Sequence, residues 1–451
     1  MKNKFLSTFA LLMAVVILLL SCGCSGEKGS GYTLNGVPLE KYSIVYGETD
    51  YGYGIEFARI LRSNIEEKTG ITLKLSKDTN EAEKYEILFG DTNRKTKFDS
   101  DDLGALDYAF ATEGKKVVLN AGEEYILEVV ADEFAKLYED SQKLSISKTP
   151  TVKTFEFEKP KSVILLIGDG MGENHIRYAL DNGLDTFIGN VMTNRGYCTT
   201  SSVSGVTDSA AAATALSTGY KTTNGKVGKD VNGKNVKVMG ELALEKGKHL
   251  MVISNYPITD ATPAGFTSHA YNRSEDGTIR IYQSKLMKDE KVIALESITS
   301  NTLAGFIEAL AEYDKLETKN GLFFMNEECC CDASGHNNEF FLTVEAVTRI
   351  DQLARSAISY ILKHPDTVLI MTADHETGGI TYDAEKDTWS FTTTNHTGVD
   401  VPVFAMGYGT EVFNKTTVDN TDISRFIANI MGEKNWGDPE ITPKITLPDL
   451  N

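Results

Sequence analysis

The chain has 451 residues, with 45 Lys and Arg against 64 Asp and Glu, a formal net charge of −19, and 41% hydrophobic residues. That balance is ordinary for a globular protein, and the length allows more than one core. So acidic a surface argues against nucleic acid or any other polyanion held by charge.

Residues 1–22 read as a lipoprotein signal: Lys2 and Lys4 form a basic start, Phe5 to Leu20 an apolar stretch, and Ser21 places a small residue before Cys22. The apolar stretch is short for a membrane span and runs into Ser, Cys and Gly. The expectation is a signal peptide over 1–21, lipidation of Cys22, and a mature chain exported and anchored to the outer face of the cell membrane. Losing two lysines makes the mature chain more acidic still. Disulfides persist outside the cytosol, so Cys198 and the run Cys329 to Cys331 have pairing potential, although consecutive cysteines lack zinc-finger spacing. They read mainly as small apolar packing residues.

Residues 32–158 read as a small α/β module. Strands are expected at YSIVY, ITLKL, YEILFG and KVVLN, and helices over 54–68 and 124–138, where Val129, Val130, Phe134 and Leu137 recur at near-helical spacing. The segment YEILFGDTNR resembles the small α/β domains that precede catalytic domains in bacterial glycoside hydrolases. No dense cluster of His, Cys and acid occurs here, so a spacer is expected, with glycan or cell-wall contact as the sharper alternative. The polar stretch 140–160 reads as a linker.

From residue 159 onward, buried strands repeatedly run into acids or histidines. At 163–172, VILLIGDGMG is a continuous apolar run ending in a glycine-rich turn around Asp169; such runs are parallel strands, and ligands gather at their carboxyl ends. A further strand carries Cys198. At 206–215, VTDSAAAATA puts Ser209 at the start of an alanine-rich helix that Gly219 can cap. A helix start presents unpaired N–H groups and partial positive charge, which suits a hydroxyl that meets phosphate, so Ser209 is the candidate nucleophile. The capping alternative is that Asp208 and Ser209 only begin the helix.

Segment 258–273, ITDATPAGFTSHAYNR, offers Asp260 and Thr262, hard oxygen ligands that suit Mg²⁺, and the guanidinium of Arg273. Next, FFMNEECCCDASGH at 323–336 supplies Glu327, then Asp332 and His336 four apart, which one helical turn projects onto one face. A strand at 368 runs into Asp374 and His375, a plausible half of a zinc site, and His396 precedes another apolar strand. A helix at DISRFIANIMG follows. Of the remaining histidines, His175, His249 and His269 read as structural and His364 as a surface residue at a helix end.

Taken together and in this order, the motifs over residues 163–400 resemble those of the alkaline phosphatases. The resemblance implies a three-layer α/β/α sandwich over 159–451, behind the small α/β module. It implies two zinc ions, one held by Asp332, His336 and His396, the other by Asp169, Asp374, His375 and the ionised Ser209 oxygen. A magnesium ion would share Asp169 and add Asp260, Thr262 and Glu327, the last preferred to Glu328 for its five-residue offset from Asp332. Arg273 would grip the phosphate, with Asp208 holding the guanidinium. Two metals hold the attacking and leaving oxygens of an in-line displacement, so the implied activity is hydrolysis of small phosphate monoesters through a phosphoserine. The alternatives are a phosphodiesterase or phosphonate-monoester hydrolase of the same superfamily, or a non-catalytic surface protein that binds phosphate or zinc. Ala333, after Asp332, departs from the Lys, His or Trp of many relatives and can neither donate to phosphate nor screen the third metal. A homodimer is possible within the family, but only about fifty residues separate Arg273 from the Glu327 strand, a region where larger relatives carry insertions that build subunit contacts.

Overall fold

The computed structural model describes residues 31–47, 54–298, 302–317 and 319–450, so the proposed signal segment and Cys22 lie outside the described residues. Two sheets organise the chain. In the first module, β1 (Ser43–Tyr46) and β3 (Glu86–Phe89) are buried along their whole length, with α1 (Gly54–Thr69) and β2 (Lys74–Lys77) between them in sequence. The strand expected at ITLKL thus begins later, at Lys74. β4 (Asp107–Glu113), β5 (Lys116–Ala121), α2 (Leu127–Asp140) and β6 (Thr151–Thr154) complete a six-stranded sheet of order β2-β1-β3-β5-β4-β6. β6 corrects the linker expectation for 140–160: its four exposed residues pair antiparallel to β4 as an edge strand, where only one neighbour and little apolar burial are needed.

The second sheet has eight strands. In chain order they and their helices are β7 (Ser162–Gly168), α3 (Glu173–Asp181), β8 (Asn194–Thr199), α4 (Ser209–Thr218), α5 (Met239–Glu245), β9 (His249–Ser254), α6 (Ala261–Thr267), α7 (Asp276–Leu286), β10 (Val292–Ser297) and α8 (Thr302–Asp314). Then come β11 (Leu322–Glu328), α9 (Cys330–Asn337), α10 (Phe340–Lys363), β12 (Thr367–Thr372), β13 (Val401–Met406), β14 (Thr417–Asp419) and α11 (Asn420–Ile430). The sheet order is β10-β9-β11-β7-β12-β13-β8-β14. β13 alone runs against its neighbours β12 and β8, and every other pairing is parallel.

β7 is covered by α10 on one face and α11 on the other, which is why SVILLIG is apolar throughout rather than alternating. One layer joins α3, α8, α9 and α10; the other joins α4, α5, α6, α7 and α11. This is the three-layer sandwich expected from the sequence. The alanines of α4 favour helix and let it lie close to α6: a Cβ on Gly265 would stand 2.6 Å from that of Ala213.

The modules share an apolar core. Residues such as Phe134 and Val130 of α2 belong to the same buried cluster as Ile358 and Ile361 of α10. Glu128, itself buried, accepts from Ser359 Oγ at 2.7 Å and pairs with Lys363 at 2.6 Å across the seam. Among the described residues, no helix is long and apolar enough to cross a membrane.

Candidate active site

The parallel strands end along one edge, and the proposed ligands follow those ends. Asp169 directly follows β7, Glu327 is the penultimate residue of β11, Asp332 and His336 are on α9 behind it, and Asp374 and His375 follow β12. Asp260 caps α6 after β9, and Ser209 opens α4 after β8. His396 precedes the reversed β13, so a residue on the amino side of that strand reaches the same edge as residues on the carboxyl side of the others.

Two groups of side chains converge there, each with ligand atoms within 4.8 Å of one another: Asp332, His336 and His396, and Asp169, Asp374 and His375. In the first, His336 and His396 face each other with 3.2 Å between Nε2 atoms, and both lie 3.3–3.4 Å from Asp332 Oδ1. Their Nδ1 atoms sit against main-chain carbonyls, His336 at 2.7 Å from Thr394 O and His396 at 2.9 Å from Thr207 O. A carbonyl only accepts, so each Nδ1 carries the proton and each Nε2 presents a lone pair. Two lone pairs and a carboxylate oxygen aimed at one point form a cation site, since none of them can donate to another.

The second group has the same character in a drier setting. Asp374 Oδ1 accepts from the Gly170 and His375 amides at 3.1 and 2.9 Å, leaving Oδ2 buried with no hydrogen-bond partner, as is Asp169 Oδ1. His375 Nε2 lies 3.1 Å from Asp374 Oδ2, 3.7 Å from Asp169 Oδ1 and 3.3 Å from Ser209 Oγ. Burial, then the charges of Asp374, Asp332 and Glu327, push the Asp169 carboxyl well above its ordinary range. Burial followed by the Asp332 charge raises Asp374 to about 6. So many acids packed without a cation repel one another, and a bound cation removes that cost.

Ser209 is the first residue of α4, capped by Asp208, whose Oδ1 accepts from the Ala211 amide at 3.0 Å, and Gly219 closes the helix in the left-handed region at φ 72°. The alanine helix and its glycine cap are as expected, and Asp208, not Ser209, is the capping residue. That leaves the Ser209 hydroxyl free of the capping role and pointing at His375. Arg273 Nη1 approaches Ser209 Oγ at 3.5 Å and Asp208 Oδ2 at 3.7 Å, while Nη2 sits 3.3 Å from Asp260 Oδ2. The guanidinium is therefore bracketed by two acids, one of them the expected magnesium ligand Asp260.

Thr262 Oγ1 and Glu327 Oε1 are buried with no hydrogen-bond partner, the Glu327 charge acts on Asp169, and Glu327 Oε2 accepts from Ser254 Oγ at 2.5 Å. These orphaned oxygens, all hard donors, fit Mg²⁺. Burial is the main cause that raises Glu327 to about 8, helped by the charges of Asp260 and Asp374. Its neighbour Glu328 points the other way, to Asn255 Nδ2 at 2.6 Å, as the pleat of β11 requires.

All four described cysteines are free, which removes the disulfide expectation among them: Cys198 is buried in β8, and Cys329 to Cys331 turn from β11 into α9. His269 is fixed by Gly228 O and Glu241 and His175 is fully buried. His364 is half-buried rather than free on the surface, stacked on Tyr360 at 3.9 Å and paired with Asp314 at 3.1 Å. One residue of the centre lacks any mark in the sequence reading: Thr377, whose hydroxyl touches Asp332 and His375. A period-of-two reading from His375 would place it on the same side.

The family described as Alkaline phosphatase matches residues 160–308, and the Metalloenzyme superfamily matches residues 277–434. Alkaline phosphatase 4 of Bacillus subtilis (strain 168) is 28% identical over 295 residues, covering 50% of this chain and 64% of the relative. Alkaline phosphatase 3 of the same strain is 29% identical over 290 residues, covering 50% and 63%. The chain thus spans less than two thirds of the length of these relatives. A mutant of the TAB5 alkaline phosphatase, solved with Mg bound in its M3 site, superposes with a TM-score of 0.55 at 26% identity, covering 63% of this chain and 100% of that one.

Proposed function

We propose, from the premise that the chain belongs to the alkaline phosphatase family, that it hydrolyses phosphate monoesters through a phosphoserine at Ser209, with two zinc ions and one magnesium ion bound. The observation that carries this reading is that the Ser209 hydroxyl lies 3.3 Å from His375 Nε2, beside the unpartnered carboxylate oxygens of Asp169 and Asp374, with the facing Nε2 atoms of His336 and His396 in the neighbouring group.

The residues would divide the metals as two zinc sites, Asp332 with His336 and His396, and Asp169 with Asp374, His375 and Ser209, and one magnesium site of Asp169, Thr262, Glu327 and Asp260. When bound, these ions supply the positive charge that favours the Ser209 alkoxide and offsets charge on the phosphate oxygens. The chain supplies the rest. The amino end of α4 holds Ser209 where phosphate anions are favoured, and Asp208 keeps that helix start ordered. Arg273 offers two N–H groups to two phosphate oxygens, and its acids Asp208 and Asp260 hold the fork facing Ser209. Serine oxygen attacks phosphorus, the ester oxygen leaves with its electron pair and a proton, and water then cleaves the Ser209 ester to free phosphate and regenerate the hydroxyl.

The same reading takes small phosphate esters as substrates and places the protein outside the cell membrane, anchored through Cys22. The test is turnover of the purified chain with mono-, di- and sulfate esters, with and without Zn²⁺ and Mg²⁺. Monoester cleavage that needs the metals supports it; faster diester cleavage would favour a phosphodiesterase, and binding of phosphate without turnover would leave a non-catalytic protein.

A further inference from the structure

We infer that Thr377 is a positioning residue that couples the two candidate zinc groups, its one hydroxyl bonding Asp332 of the first and His375 of the second. The coupling rests on the metal-centre reading above. Thr377 Oγ1 lies 2.6 Å from Asp332 Oδ1 and 3.2 Å from His375 Nδ1, and its side chain is wholly buried.

The direction of each bond follows from what the groups can do. An ionised carboxylate only accepts, so the single hydroxyl proton goes to Asp332. The oxygen then offers His375 a lone pair, and His375 must bring the proton on Nδ1. That fixes its tautomer and leaves Nε2 unprotonated, facing Asp374, Asp169 and Ser209. His336 and His396 acquire the same tautomer from main-chain carbonyls, which are set by the fold. Among the three histidines, His375 alone takes its orientation from a side chain that is itself bonded to a ligand of the other group.

The backbone of Thr377 is tied to both groups as well. Its amide donates at 3.1 Å to the carbonyl of Gly170, next to Asp169, and it pairs with His396 in a short antiparallel ladder. Its carbonyl lies against Gly335, where a Cβ would come within 2.4 Å, directly before His336. A cation at Asp332 therefore holds ionised the carboxylate that takes the Thr377 proton, and the Thr377 oxygen is then committed to accepting from His375 Nδ1. The second ion then meets a ligand whose orientation has already been fixed, so the two ions load cooperatively.

The experiment titrates the metal-free full-length chain with Co²⁺, following both the visible absorbance and the ions bound per chain, for wild type, Thr377→Ser and Thr377→Val. Valine keeps the volume and branching and removes the hydroxyl. Wild type and the serine variant should take up two ions in one steep transition. The valine variant should take them in two separate steps, the second weakened about 10- to 100-fold. Imidazole ¹⁵N spectra of the wild type give a readout independent of any variant, and should show His375 protonated on Nδ1. A valine variant that loads like wild type, or a His375 protonated on Nε2, would overturn the coupling while leaving the metal centre standing. Wild-type protein that takes up no ion would overturn the metal-centre reading and the coupling with it.

Discussion

The main-chain amide of Asp332 donates to the carbonyl of Asp169 at 2.8 Å, so a residue of each candidate metal group is pinned to the other by backbone alone. The residue between Asp169 and this contact's neighbours is Gly170, at φ 75°, where an added Cβ would stand 2.6 Å from Asp332 Cα. Gly170→Ala should therefore strain the turn by roughly 1–3 kcal/mol and push the two groups apart. Thermal unfolding and Zn²⁺ uptake check this: both should fall, and unchanged zinc affinity would show that the two turns move independently.

Ser209→Ala should lower phosphatase turnover by orders of magnitude and leave the metals bound, because the other ligands of its group remain. Trapping with a labelled phosphate ester should mark Ser209 in the wild type and nothing in the variant. Label on another residue would refute the phosphoserine step.

Metal removal should change how stability depends on pH. Glu327 is raised to about 8 by burial and then by neighbouring acids, and Asp374 to about 6 by burial and then by Asp332. A carboxyl whose folded pKa lies above its unfolded value binds a proton more tightly when folded. Its contribution is complete below the ordinary carboxyl range and is lost as pH rises through the folded pKa. The chelated protein should thus lose stability from about pH 5 to about pH 8, while the metal-loaded protein, with these groups already ionised against cations, should not. Melting temperatures of both forms across that range decide it: a gap that fails to widen with pH contradicts the ligand assignment.

Arg273→Ala should damage monoester hydrolysis more than diester hydrolysis. A monoester has enough non-bridging oxygens for the metals and both guanidinium donors, whereas a diester leaves one donor unpaired. An unsatisfied buried donor costs about 1–3 kcal/mol, and with 33% of its side chain exposed Arg273 should show the low end of that range, roughly tenfold in selectivity. The variant also exposes the phosphate to Asp208 and Asp260 without their counter-charge. Parallel kcat/KM values for the two ester types test this, and equal losses would remove Arg273 from the origin of the preference.

Residues 159–451 expressed alone should keep the metal site, since every proposed ligand lies within them. They should aggregate more readily and unfold at lower temperature, because α2 covers part of α10 and Glu128 leaves Ser359 and Lys363 unpaired. Metal content and melting temperature are the measurements; loss of metal from a well-folded truncation would make the first module part of the site.

The candidate site was legible because buried parallel strands are long apolar runs whose ends are marked abruptly by acids, histidines and glycines, as at Gly168-Asp169 and Ala373-Asp374-His375. The three-layer fold follows from the same runs. Less regular elements hide for physical reasons. β4, DYAFATE, dilutes its apolar pattern with alanine, and β6, TVKT, is an exposed edge with no core face to reveal it. Thr377 carries no charge, and its two-residue offset from His375 marks only a side and not a role; it matters because a short ladder folds back over Asp332. The place of Asp260 against Arg273 depends on two loops meeting, which no local pattern encodes.

The late place of β13 in the chain also sets when β8 can be paired. β8, the strand that leads to Ser209, has as its sheet neighbours only β13 and β14, both of which lie some two hundred residues later in the chain. Until those late strands exist, the nucleophile's strand has nothing to dock on, and the loop that must close is among the longest in the molecule. A chain interrupted before β13 would hold every proposed ligand and the serine, and β9, β11, β7 and β12 could still pair, but β8 would have no strand beside it and Ser209 would be held only through the packing of α4 on α6. The position of Ser209 beside Asp169 and His375 thus depends on pairings made with strands that come last in the sheet's chain order.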